Sequence, residues 1–250
     1  MLGYKAPSER IFVGDLKEGD VIISHRSEKA MSDSVIYGHS ALVARIEEDV
    51  STHMPSALVL EIDRQHGLHR SVLATSNLEP GRAQIHQRVY RFKDFNVASR
   101  AVTVGTVWLS RCHGFQRGER QKISIFGQQR EKMVDGVDVY TSGVYSITSL
   151  PMVYFGNACY GASARSYARK LNFQYMLQGD IPQELTASAT SLFTGVTCTY
   201  LPIAVYQAVL GESGSSINMA VDARRALPSD LAQYLDANEN WQFLGLLTKI

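Results

Sequence analysis

Cysteine is scarce in this chain. Three thiols in 250 residues do not make the disulfide framework of a small secreted domain, and an odd count leaves at least one thiol free or intermolecular. An excess of charge of one sign is also missing. Lys and Arg number 25 against 24 Asp and Glu, for a net charge of +1. With the signs interspersed, there is neither the basic footprint of a nucleic-acid binder nor a polybasic membrane surface. No apolar run approaches the roughly 20 residues of a membrane-spanning helix. The opening MLGYKAPSERIF has no basic segment followed by an apolar core, which is the pattern of a secretory signal. Synthesis in the cytoplasm, a reducing compartment, is therefore expected.

Several chemical signatures are absent too. There is no Cys-x-x-Cys and no His-Glu-x-x-His, so neither a metal nor an organic cofactor is expected. His66 and His69 flank Gly67 at a spacing that resembles a metal pair, but a polar loop with two surface histidines is the simpler expectation. Cys112 and His113 are adjacent, so their side chains diverge. The Gly-x-Ser-x-Gly elbow of serine hydrolases and the phosphate-cradling Gly-x-x-x-x-Gly-Lys run do not occur. Arg88, Arg91 and Lys93 interleave with Tyr90 and Phe92, which reads as a solvated strand face.

What is present is ordinary globular material, 45% hydrophobic and 20% charged, with an α+β pattern. Short strands are predicted at Val21–Ile23, from Tyr37 to Ile46, from Leu58 to Asp63 and from Arg88 to Phe92. Alternation puts His39 on one face with Ala41 and Val43, and Val59, Glu61 and Asp63 opposite Leu58, Leu60 and Ile62. Helices are expected from Asp94 or Asn96 to about Leu109, over Ala162–Leu177, over 199–210, and from a Ser229 cap through Leu235. The polar, Gly-punctuated stretch at about 113–157 reads as an insertion or long connection within a single domain spanning 1–250.

Two cysteines sit where a thiolate gains most. A helix N-terminus stabilises the anion through its free N–H groups and dipole. Cys198 follows the small, flexible Thr194-Gly195-Val196-Thr197 and precedes an apolar helix with Pro202 in its first turn. Cys159 follows Gly156-Asn157 and precedes the helix at 162, so it is the alternative nucleophile. Either residue also fits a small apolar core position.

Four segments taken in order carry a resemblance: Gly19-Asp20-Val21-Ile22, His39-Ser40-Ala41-Leu42, Cys198-Thr199-Tyr200-Leu201-Pro202 and Leu227-Pro228-Ser229-Asp230-Leu231. They are similar to the Gly-Asp-hydrophobic strand, the His-x-Gly strand, the Cys-led helix and the Ser-Pro-x-Asp-Leu element of the circularly permuted NlpC-type, papain-like cysteine hydrolases. The order His before Cys marks the permutation. The resemblance covers about residues 14–65 and 190–235. It departs from the family at Ser40-Ala41, where a glycine is common after the histidine, and at Pro202.

The resemblance implies a papain-like α+β fold, an antiparallel sheet packed with helices. Cys198 is then the nucleophile, His39 its base and Glu61 the orienting acid, with Asp63, two places on along the same face, as the alternative. The chemistry implied is acyl transfer through an acyl-enzyme on a peptide or other acyl substrate. An amide of peptidoglycan peptides is the first choice, in an antibacterial effector exported by a specialised secretion system and met by an immunity or secretion partner. A lipid or protein acyl hydrolase or acyltransferase, or a catalytically inactive binding module, are the other readings.

Overall fold

A computed structural model describes residues 10–26, 38–48, 53–63, 67–74, 85–111, 120–125, 128–133, 161–176, 181–186, 196–210 and 219–248. Its strands are β1 (Arg10–Ile11), β2 (Val21–Arg26), β3 (His39–Glu48), β4 (Pro55–Asp63), β5 (Gly67–Ala74), β6 (Ile85–Phe92), β7 (Arg120–Ile125), β8 (Gln128–Met133) and β9 (Trp241–Leu247). Its helices are α1 (Phe95–Arg111), α2 (Ala162–Met176), the short α3 (Gln183–Thr186), α4 (Tyr200–Leu210) and α5 (Pro228–Ala237). Seven strands form one sheet in the order β1-β9-β6-β2-β3-β4-β5. The pairs from β9 to β5 are antiparallel, as expected, but β1 runs parallel to β9. The sheet is therefore mixed. Two residues suffice for β1 because Ile11 is buried and its carbonyl accepts a hydrogen bond from the Thr248 N–H at 2.8 Å.

Alternation divides the sheet as the sequence predicts. Val21, Ile23, Leu42, Leu60, Ile62, Leu68, Tyr90 and Phe92 face the helices and form the main core with them. Ile22, Ala41, Val43, Ala57, Val59 and Val89 face the other way, under Ile11, Val13 and Leu16. Helix α4 is apolar on every side and accordingly central, with Tyr200 through Val209 buried. It packs against α1, α2, β3 and β4. Pro202 lies in its first turn, where the missing N–H breaks no helical bond.

Helix termini follow local chemistry. Asp94 caps α1, its Oδ1 accepting from the N–H of Asn96 at 2.9 Å and of Val97 at 3.3 Å. Ser229 does not cap α5. That helix is capped by Leu227 and begins two residues earlier than expected, at Pro228, whose fixed φ suits a first helical position. The Asp230 carboxylate then accepts from the Leu227 N–H at 2.8 Å.

Other expectations are corrected. The stretch around Arg88 is not a solvated face. Arg88 is buried and bidentate to Asp236, at 3.0 and 2.9 Å, with its guanidinium over the Tyr90 and Phe243 rings. Arg91 turns to the buried Asp20, at 2.8 and 2.7 Å. Within the expected insertion, β7 and β8 form a two-stranded sheet of their own. The rest of that stretch, with His113 and Cys159, and Cys112 just before it, lie outside the described residues. Among the described residues, no helix is long and apolar enough to cross a membrane.

Candidate active site

Three neighbouring strands bring three titratable side chains into a row. Ala41 on β3 pairs with Glu61 on β4, and Glu61 pairs with His69 on β5. His39 lies two residues before Ala41, on the same face and diagonal to Glu61, a separation that long side chains span. Its Nε2 lies 2.5 Å from Glu61 Oε2. The other carboxylate oxygen, Oε1, lies 3.3 Å from Nε2 of His69. His69 Nδ1 is 3.0 Å from the Gly67 carbonyl. Asp63 also lies on β4, but its side chain falls outside the described residues.

Cys198 arrives from the other side of the chain. It is buried, just before the first turn of α4, and its Sγ is 3.7 Å from the Gly38 carbonyl. It also lies close enough to the His39 imidazole to favour the ring's charged form. With Nε2 of His39 on Glu61, a proton exchanged with the sulfur would pass through Nδ1. Two buried threonines hold the cysteine in place. Thr199 Oγ1 donates to the Ala226 carbonyl at 2.5 Å, and the Thr197 and Thr199 hydroxyls are 2.8 Å apart. Two residues beyond Ala226, the Pro228 ring lies against Gly38, so that a Cβ on Gly38 would fall 2.7 Å from its Cγ. The Leu227–Leu231 element thus sets the cysteine and the start of the histidine strand against each other.

The electrostatics follow from this row of groups. Burial opposes a charged imidazole at His39. Hydrogen bonds and charge from Cys198 and Glu61 outweigh it and push the pKa from 6.5 up to about 10. Burial likewise opposes the Glu61 carboxylate. Hydrogen bonds from His39, His69 and Ser71, with the charge of His39, hold it well below the usual carboxylate range. Among the described residues, no group of three or more His, Cys, Asp or Glu is arranged to hold a metal ion.

No protein-family model matches this chain, and no curated protein or solved structure matches it either.

The structure brings together Cys198, His39 and Glu61. It also adds a residue that the sequence reading placed elsewhere, because His69 is a buried strand residue and not a surface loop histidine. His66 lies outside the described residues. The one available signal for His69 was the segment Gly67-Leu68-His69-Arg70-Ser71-Val72, in which Leu68 and His69 alternate as on a strand.

The Gly19-Asp20 motif proves structural. Gly19 adopts φ +85° and leaves no room for a Cβ, which would meet that of Ala98 at 2.5 Å. Its carbonyl accepts from the Tyr206 hydroxyl at 2.7 Å, tying the turn to α4. A buried thiol at a helix start, an imidazole and an ionised carboxylate in sequence make a relay suited to nucleophilic attack on an acyl carbon.

Proposed function

We propose that this protein is a cysteine hydrolase of circularly permuted, papain-like architecture that cleaves an amide bond through an acyl-enzyme. The observation that carries the reading is the relay Cys198–His39–Glu61, with the sulfur at a helix N-terminus and the imidazole 2.5 Å from its acid. The order of a histidine strand before a cysteine helix supports the permutation. In the reaction, His39 takes the Cys198 thiol proton and the sulfur attacks the carbonyl carbon, while the Cys198 N–H at the helix start faces the developing oxyanion. His39 gives its proton to the leaving nitrogen as the C–N bond breaks. Water then attacks the thioester, His39 takes its proton, and the carboxylic acid leaves as the cysteine is regenerated.

The substrate class proposed is the peptide of peptidoglycan, cleaved by an exported antibacterial effector. This substrate rests on the resemblance of the four motif segments.

Iodoacetamide labelling from pH 5 to 9, read by mass spectrometry, tests the nucleophile. Cys198 is expected to label fastest, and His39→Ala to slow it by about tenfold or more at pH 6.5. Equal, slow labelling of all three cysteines would overturn the hydrolase reading, and selective labelling of Cys159 would move the nucleophile. A muropeptide profile of digested peptidoglycan then tests the substrate. New peptide fragments are expected with wild type and none with Cys198→Ser. An unchanged profile beside cleavage of a lipid or protein acyl substrate would reassign the substrate class.

A further inference from the structure

His69 stands behind the acid on a strand of its own, and its two ring nitrogens are both committed. Nδ1 lies 3.0 Å from the Gly67 carbonyl, an oxygen that can only accept, so Nδ1 carries a proton. Nε2 lies 3.3 Å from Glu61 Oε1, and an ionised carboxylate likewise only accepts. A bare Nε2 would set lone pair against lone pair, with the His69 side chain 9% exposed. A proton on Nε2 lets the ring donate to Glu61 Oε1. Glu61 then lies between two imidazole rings, one on each oxygen.

This matters for the relay because the terminal torsion of a carboxylate is broad and roughly two-fold, so its plane depends on the partners beyond His39, which are Ser71 and His69. Register places Glu61 directly opposite His69 but only diagonally from His39. The contact nearer to the chemistry is the shorter, 2.5 Å against 3.3 Å, but it holds only one of the two carboxylate oxygens. The contact behind it, on the directly paired residue, fixes the plane of the carboxylate.

We infer that His69 is a positioning residue that clamps Glu61 Oε1 through Nε2, so that Oε2 stays on His39 and the imidazole stays aimed at Cys198. The inference rests on the hydrolase reading for its catalytic meaning. It makes the site a four-member row, Cys198–His39–Glu61–His69, rather than a triad.

The test uses two substitutions that divide the functions of the ring. His69→Gln keeps an amide donor near the Nε2 position, toward Glu61. His69→Asn keeps a donor near the Nδ1 position, toward Gly67, and falls short of Glu61. In the full chain, ¹⁵N-histidine NMR follows the titration of His39 while iodoacetamide labelling follows Cys198. His69→Asn is expected to lower the His39 midpoint by about one pH unit and slow Cys198 labelling by about tenfold, the same factor on the equilibrium scale. His69→Gln is expected to stay close to wild type on both readouts. If Asn and Gln behave alike, or if neither moves the His39 midpoint, His69 is a packing residue and the inference is overturned. Slow, His39-independent labelling in the wild type itself would instead remove the hydrolase reading, and the catalytic role of His69 with it. Circular dichroism of each variant confirms that the comparison is between folded chains.

Discussion

Gly38 and Pro228 touch so closely that no side chain fits between them. A Cβ on Gly38 would lie 2.7 Å from Pro228 Cγ and 2.8 Å from its Cβ. The same Gly38 presents its carbonyl to the Cys198 sulfur at 3.7 Å. Gly38→Ala must therefore displace either α5 or the start of β3. Overpacking of this kind costs about 1–3 kcal/mol, and the displacement should separate His39 from Cys198. The expected outcome is a lowered urea midpoint together with slowed Cys198 labelling in conditions where the variant is still folded. Wild-type labelling would show that the contact is only structural.

Thr199→Val removes the hydroxyl that donates to the Ala226 carbonyl at 2.5 Å and contacts Thr197 Oγ1 at 2.8 Å. Thr197 Oγ1 still reaches the Ala226 carbonyl at 3.4 Å, so the loss is that of a single hydrogen bond, about 1 kcal/mol. Because valine keeps the shape, the loss isolates the hydroxyl. Denaturant unfolding should report the destabilisation, and Cys198 labelling should slow as its anchor loosens.

The pH dependence of stability has a definite sign. Glu61 is held below its ordinary 4.5, so its contribution is present above that pH and is lost as the solution is acidified. His39 is raised from 6.5 to about 10, so its contribution is complete below 6.5 and disappears as the pH climbs to about 10. The two together place their greatest joint contribution between pH 4.5 and 6.5. Urea midpoints measured from pH 5 to 10 should fall toward the alkaline end. His39→Ala should flatten that slope, and an equally steep slope in the variant would refute the assignment to His39.

Arg91 and Asp20 test the frame apart from the site. Asp20 is fully buried, with Arg91 on both its carboxylate oxygens and the Lys17 N–H at 2.8 Å. Arg91→Ala leaves a buried carboxylate without its counter-charge, at a cost of about 3–5 kcal/mol. The melting temperature should drop strongly, while Cys198 labelling below the transition should match wild type, since neither residue adjoins the relay.

Much of this architecture is written in local order. The alternation of His39, Ala41 and Val43 against Ser40, Leu42 and Ala44 places the base and the hydrophobic face of β3, and Val59 and Glu61 against Leu60 and Ile62 do the same for β4. The apolar run Tyr200–Val209 announces a buried helix, and the small residues before it place Cys198 at its start. These follow from sequence alone because side-chain direction in a strand or helix is fixed by residue spacing.

The tertiary structure decided what lies across from what. Strand register places Glu61 opposite His69, and no periodicity within Gly67–Ala74 specifies that partner, since register is set by the burial of whole faces and by turn geometry. β5 is the outer strand of the sheet, so one buried histidine on it looks locally like a loop histidine. Ion pairs between distant positions, Arg88 with Asp236 and Arg91 with Asp20, turned an apparently wet strand into a buried one. The approach of Pro228 to Gly38, and of Thr199 to Ala226, joins the two ends of the chain at the sulfur. Spacing along a chain fixes direction, whereas contact between distant residues exists only once packing has closed the core around them.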